Sequence, residues 1–163
     1  MKKKLWDFLF RKKKQVEGSN KISILNSPNS RLVRTGLYLG NKCEYGKKIE
    51  VLNEVETNLF VLVMFSNEVC SGGYYGFIYH AGHLYHESIT ALEVINHENE
   101  VNHLKELLNF IPNALVPKDF HQREVLLTEA LEVRCQELEL LFKADDLVQS
   151  IYNYMILNKQ EIR

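Results

Sequence analysis

The chain is poor in the features that mark exported, metal-clustered or membrane-embedded proteins. Its 163 residues hold only three cysteines, Cys43, Cys70 and Cys135, an odd number with no CxxC pair. That pattern argues against a disulfide framework and against a structural zinc site. The longest unbroken apolar run is seven residues, Leu59 to Phe65, against about 20 for a bilayer-spanning helix. The lysine-rich start resembles a secretory leader, but its apolar stretch, Leu5 to Phe10, is interrupted by Asp7 and followed by Arg11 and three lysines. A leader needs about 7–15 apolar residues and a small-residue cleavage site. The expected compartment is therefore the cytoplasm, with reduced thiols. No GxSxG, P-loop or GxGxxG motif occurs, so no common catalytic signature is present.

What the chain does have is charge, unevenly placed. The net charge of −1 hides 13 Lys and Arg against 4 Asp and Glu in residues 1–50, and 7 against 17 in residues 51–163. This reads as a flexible basic arm and linker, residues 1–48, on an acidic body, residues 49–163. The body invites a basic or DNA-binding protein partner and is not expected to bind nucleic acid directly. The arm, with Trp6, Phe8, Leu9 and Phe10 among cations, has the composition for weak contact with a membrane surface.

Residues 15–30 read as a linker, and residues 31–46 as a short strand or extended segment broken by Gly36, Gly40 and Gly46. From Ile49 the apolar period becomes helical and is expected to run to Cys70, where Gly72-Gly73 would stop it. Tyr74 to Tyr79 fits either a short helix or a strand. Ser88 and Asn96 are candidate caps for the next two helices. Asp119 is the expected cap of a long helix to about Phe142, and Asp145 of a last helix. The fold class is all-α, a bundle-like domain of about five helices.

Three chemical sites suggest themselves. His80, His83 and His86 have ligand-like spacing, although Gly82 falls within the stretch, and a metal-dependent enzyme built on them is one alternative. Cys70 lies near His80 in sequence without matching a Cys–His enzyme signature. Glu68 is set beside Gly72 and Gly73, where its carboxylate is expected to accept backbone N–H bonds from the following turn or a neighbouring helix. A structural role for Glu68, Gly72, Gly73, Tyr74 and Phe77 is the favoured reading. No cofactor is expected.

The stretch Glu68-Val-Cys-Ser-Gly72-Gly73-Tyr74-Tyr-Gly-Phe77 resembles the E-V-x-N-G-G-F-x-Q-F signature of the bacterial DNA-mimic protein family of Neisserial type. Ile89 to Ile95, Val101 to Pro112, Pro117-Lys-Asp119-Phe-His-Gln-Arg123 and Asp145-Asp146-Leu147 resemble its later helices in the same order, over about residues 50–157. The chain departs from that pattern at Gly76, His80 and Asn96-His97. The resemblance implies an all-α, non-enzymatic protein that presents carboxylates to a DNA-binding protein, such as a transcription regulator, in place of phosphates. The carboxylates expected to do so are Glu124, Glu129, Glu132, Glu137, Glu139, Asp145 and Asp146. An immunity-type protein neutralising a toxin with the same face is a second alternative, and a homodimer stays open.

Overall fold

The computed structural model describes residues 28–163, so the basic arm and most of the linker lie outside the described residues. Every regular element among the described residues is helical. In chain order these are α1 Pro28–Lys42, α2 Glu54–Ala81, α3 Tyr85–Val94, α4 Glu98–Leu107, α5 Phe120–Glu124, α6 Glu129–Glu139 and α7 Ala144–Leu157, joined in places by single 3₁₀ turns.

The centre of the fold is α2, which packs against α1, α3, α5, α6 and α7. Its sequence explains that position. Leu59, Phe60, Val61, Leu62, Val63 and Phe65 are all buried, and a helix apolar on every side must be enclosed by others. Its start is set by a capping box: Asn53 accepts from the Glu56 N–H at 2.9 Å, and Glu56 accepts from the Asn53 N–H at 3.2 Å. Each fully buried Leu or Phe adds roughly 1.5–3 kcal/mol of transfer free energy, so this one helix organises most of the core.

The expectation of a strand or extended segment over residues 31–46 is corrected: this region is the helix α1 and its following turn. Leu32, Leu39 and Cys43 are buried on one side of it. Gly36 read as a breaker, but it is a contact position, because a Cβ there would stand 2.5 Å from Cγ1 of Val63 on α2. Tertiary packing thus overrides local propensity. Along its other side α1 runs parallel to α7, with Arg31 donating to the Tyr152 hydroxyl at 3.2 Å and Thr35 to the Met155 sulfur at 3.5 Å.

The expected stop at Gly72-Gly73 is a joint instead. Gly73 has φ 65° and ψ −171°, yet helix resumes beyond it through Tyr79 to Ala81. The long helix expected from Asp119 to Phe142 is divided into α5 and α6. Asp119 does cap, accepting from the Gln122 N–H at 3.0 Å, but Thr128 starts α6 afresh by accepting from the Leu131 N–H at 3.3 Å. Arg123 accounts for the division. Its buried guanidinium donates to the carbonyls of Tyr79, Pro117 and Lys118 at 3.1, 2.9 and 2.7 Å. Those bonds draw α5 onto the end of α2. Three caps are corrected too. Ser88 lies inside α3 with its hydroxyl bonded to the Leu84 carbonyl at 2.8 Å. Asn96 adopts a left-handed φ of 57° between α3 and α4. Lys143 precedes α7, with Asp145 in its first turn.

Candidate functional site

The Gly73 joint fixes the position of α6 relative to α2. Beyond it Tyr74 turns inward and packs against Phe65, His103 and Phe142 at ring separations of 6.2, 5.6 and 6.1 Å. Phe77 meets Phe65 edge-on at 5.0 Å. Burial holds His103 below the ordinary imidazole value, and its Nδ1 and the Tyr74 hydroxyl share a hydrogen bond of 2.8 Å. From the other side Glu139 covers the joint, with Oε1 only 1.6 Å from where a Cβ of residue 73 would stand. Only glycine satisfies both the backbone angles and that approach. Glu68, Tyr74, Phe77 and Gly73 are buried, while Gly72 is exposed and its absent side chain would meet nothing within 4 Å.

Glu68 does not do what its sequence context suggested. It is 4% exposed, and its Oε2 finds no hydrogen-bond partner among the described residues. Burial alone pushes its carboxyl up to about 7.

The seven candidate partner-binding carboxylates fall on α5, α6 and the start of α7. Glu124 ends α5, Glu129 and Glu132 occupy the first turn of α6, and Asp145 and Asp146 the first turn of α7. All five are exposed and have no ion-pair partner among the described residues. For the four at helix starts, negative charge is favoured by the dipole and needs no cation to hold it, whereas Glu124 stands at the end of its helix without that support. The other two are engaged. Glu137 pairs with Arg134, which also binds Glu106 of α4, and Glu139 is half-buried over Gly73. The Arg134 bridge between α4 and α6 depends on tertiary structure and had no signal in the sequence.

A second feature of α6 had a signal that a single-stripe reading passes over. Val133 is exposed on the side of α6 away from Leu131, Cys135 and Leu138, which are buried, and Leu140 and Leu141 are exposed in the turn that follows the helix. Phe110, Glu129, Ala130, Val133, Arg134 and Glu137 line a shallow cleft of about 490 Å³ beside them.

The remaining candidates stay apart. His80 packs on Tyr79, with 4.7 Å between ring centroids, while His83 lies against Gly46. His83 and His86 border a second cleft of about 340 Å³ with Val116 and Lys118. No three His, Cys, Asp or Glu side chains among the described residues are grouped so as to hold a metal ion. Burial, then the Arg123 charge, holds His80 and His83 below the ordinary imidazole value. Cys70 is exposed and burial still raises its thiol, while Cys135 is buried and pushed up to about 12; neither is an activated thiolate. No helix among the described residues is long and apolar enough to cross a membrane.

The fold and this face define an all-α protein with carboxylates on short helices packed on α2 and without ion pairs among the described residues. The chain belongs to the family described as DMP19-like protein, whose model matches residues 50–158. No curated protein and no solved structure matches it.

Proposed function

We propose that the protein is a non-enzymatic DNA mimic, which engages the nucleic-acid-binding surface of a basic protein through the carboxylates of α5, α6 and α7. The observation that carries this reading is the set Glu124, Glu129, Glu132, Asp145 and Asp146, exposed and without ion pairs among the described residues. Family membership supports it. A partner that releases counterions from phosphates gains the same electrostatic attraction from carboxylates held in place. The proposed compartment is the cytoplasm, and a transcription regulator is the partner class that fits.

The test is capture of partners by the full chain, beside a variant carrying Glu129→Gln, Glu132→Gln, Asp145→Asn and Asp146→Asn. Glu139 is left alone because it covers the Gly73 joint. Expected is a DNA-binding protein held by the natural chain, released by salt and by duplex DNA, and held at least roughly tenfold less by the variant. Equal retention by both baits overturns the reading. Capture of a toxin that duplex DNA does not displace favours an immunity role for the same face.

A further inference from the structure

Helix α6 is apolar on two sides, and the fold covers only one. Leu131, Cys135 and Leu138 face the core and are buried. At 100° per residue, Ala130, Val133 and Glu137 fall on a separate arc of α6, and Leu140 and Leu141 stand in the turn just past its last residue, Glu139. Leu140 is 87% exposed, Leu141 63% and Val133 49%, with Phe110 alongside at 37%. An isolated exposed leucine is ordinary, but exposed apolar side chains gathered at one end of a helix mark a surface that something covers. Glu129 and Glu132 border it along α6, Glu137 lies within it paired to Arg134, and Asp145 and Asp146 follow it in the chain.

We propose that the chain's own residues 1–14 dock on this patch and compete there with outside basic partners. The proposal deepens, and rests on, the reading of this face as a docking surface for basic partners. The segment is complementary in both respects that matter. It places Leu5, Trp6, Phe8, Leu9 and Phe10 between Lys2, Lys3, Lys4 at one end and Arg11, Lys12, Lys13, Lys14 at the other. That is a largely apolar centre, interrupted only by Asp7, with cationic flanks, for an apolar patch with acidic borders.

The length of the intervening chain also permits it. Arg31 meets Tyr152 and Thr35 meets Met155, so α1 and α7 run in the same direction. The start of α1 therefore points toward the start of α7, where Asp145 and Asp146 stand beside the Leu140-Leu141 corner. Residues 15–27 span up to about 40 Å when extended, whereas the whole of α6 is about 16 Å long. A segment tethered in this way is presented at an effective concentration of the order of millimolar. A partner then binds only the fraction of molecules whose face is open, which lowers its apparent affinity by that fraction.

Trp6 is the single tryptophan of the chain, so its fluorescence reports on the segment alone. In the full protein at low salt, its emission is expected at shorter wavelength than in a free peptide of residues 1–14. Its quenching by acrylamide is expected to be several-fold weaker, with both readings unchanged from micromolar to submillimolar protein. High salt, or the paired change Leu140→Ser and Leu141→Ser, returns both to the peptide values. Those leucines are exposed, so the variant keeps its core, and its circular dichroism checks this. Peptide-like emission in the full protein overturns the proposal. So does shielding that grows with protein concentration, which assigns the segment to a second copy, and so does shielding that needs added anionic phospholipid vesicles. Shielding that persists in the Leu140→Ser, Leu141→Ser chain overturns it as well. Neutralising Arg11, Lys12, Lys13 and Lys14 to Gln is expected to raise partner capture several-fold. Failure of the Trp6 result with salt-sensitive partner capture intact removes only the self-competition. Loss of capture specificity with Trp6 still shielded removes the mimicry.

Discussion

Glu56 and Glu68 lie on the same helix and are almost equally withdrawn from water, 1% and 4% exposed, yet their surroundings are opposite. Glu56 stands at the start of α2. Lys42 donates to both of its oxygens at 2.7 Å, and the N–H groups of Arg163 and Asn53 add bonds of 2.9 and 3.2 Å. Burial alone would raise its carboxyl, but these donors outweigh burial and hold it below the ordinary value. Glu68 lies inside the helix, where backbone N–H groups are already spent on the i−4 ladder, and no cation among the described residues pairs with it. A buried carboxylate is thus governed less by its depth than by the supply of donors, and helix starts supply them.

The two ends of α2 are correspondingly held by different means, and the largest effect is expected at the joint. Gly73→Ala forces an alanine into φ 65°, ψ −171° and displaces Glu139. It is expected to cost about 3 kcal/mol or more by urea unfolding. The adjacent Gly72→Ala meets nothing within 4 Å and is expected to be neutral or to stabilise by up to about 1 kcal/mol. Equal costs at the two glycines would mean that the joint is not fixed by backbone geometry. At the capped end, Glu56→Gln removes the ion pair with Lys42 and is expected to cost about 2 kcal/mol at neutral pH. Because the folded carboxyl is held low, its contribution is present above the unfolded value. It is lost as pH falls below the ordinary carboxylate range. A cost that stayed constant into acid would show that shape, not charge, holds Glu56.

The sequence was legible where local chemistry decides the structure. The capping position of Asp119 starts a helix, though a short one, and the apolar period from Ile49 leads to the central helix, though not to its bounds. It misled where a residue serves a distant partner. Gly36 looks like a breaker until Val63 is placed against it, and the apolar period runs unbroken through Val125 to Thr128 because nothing local announces the pull of Arg123. At the candidate face, composition alone draws attention to the carboxylates. Their division into free ones and those engaged by Arg134 or by the Gly73 joint requires the packing of α6 against α4 and α2. The outward patch of α6 was written in the sequence, but the period of its buried side satisfies the eye first.

Glu68→Gln reverses the sign of the Glu56 result and has a smaller expected effect than either Gly73→Ala or Glu56→Gln. Below the ordinary glutamate value, both the folded and unfolded chains hold the proton, and the natural glutamate costs nothing. As pH rises from there to about 7, the unfolded chain ionises while the folded one does not, so stability is progressively lost. Above about 7 both states are ionised and the loss is constant. The glutamine variant never ionises. It is expected to match the natural chain at pH 4 and to exceed it at pH 8 by on the order of 1–2 kcal/mol, after allowance for solvent screening. That is a rise of a few degrees in Tm for a chain of this size. Tm differences that do not widen between pH 4 and pH 8 would place a donor at Glu68 and erase the contrast with Glu56. A difference that widens and then levels near 7 would show that the protein carries an unpaired charge through its core at neutral pH, at a cost set by burial alone.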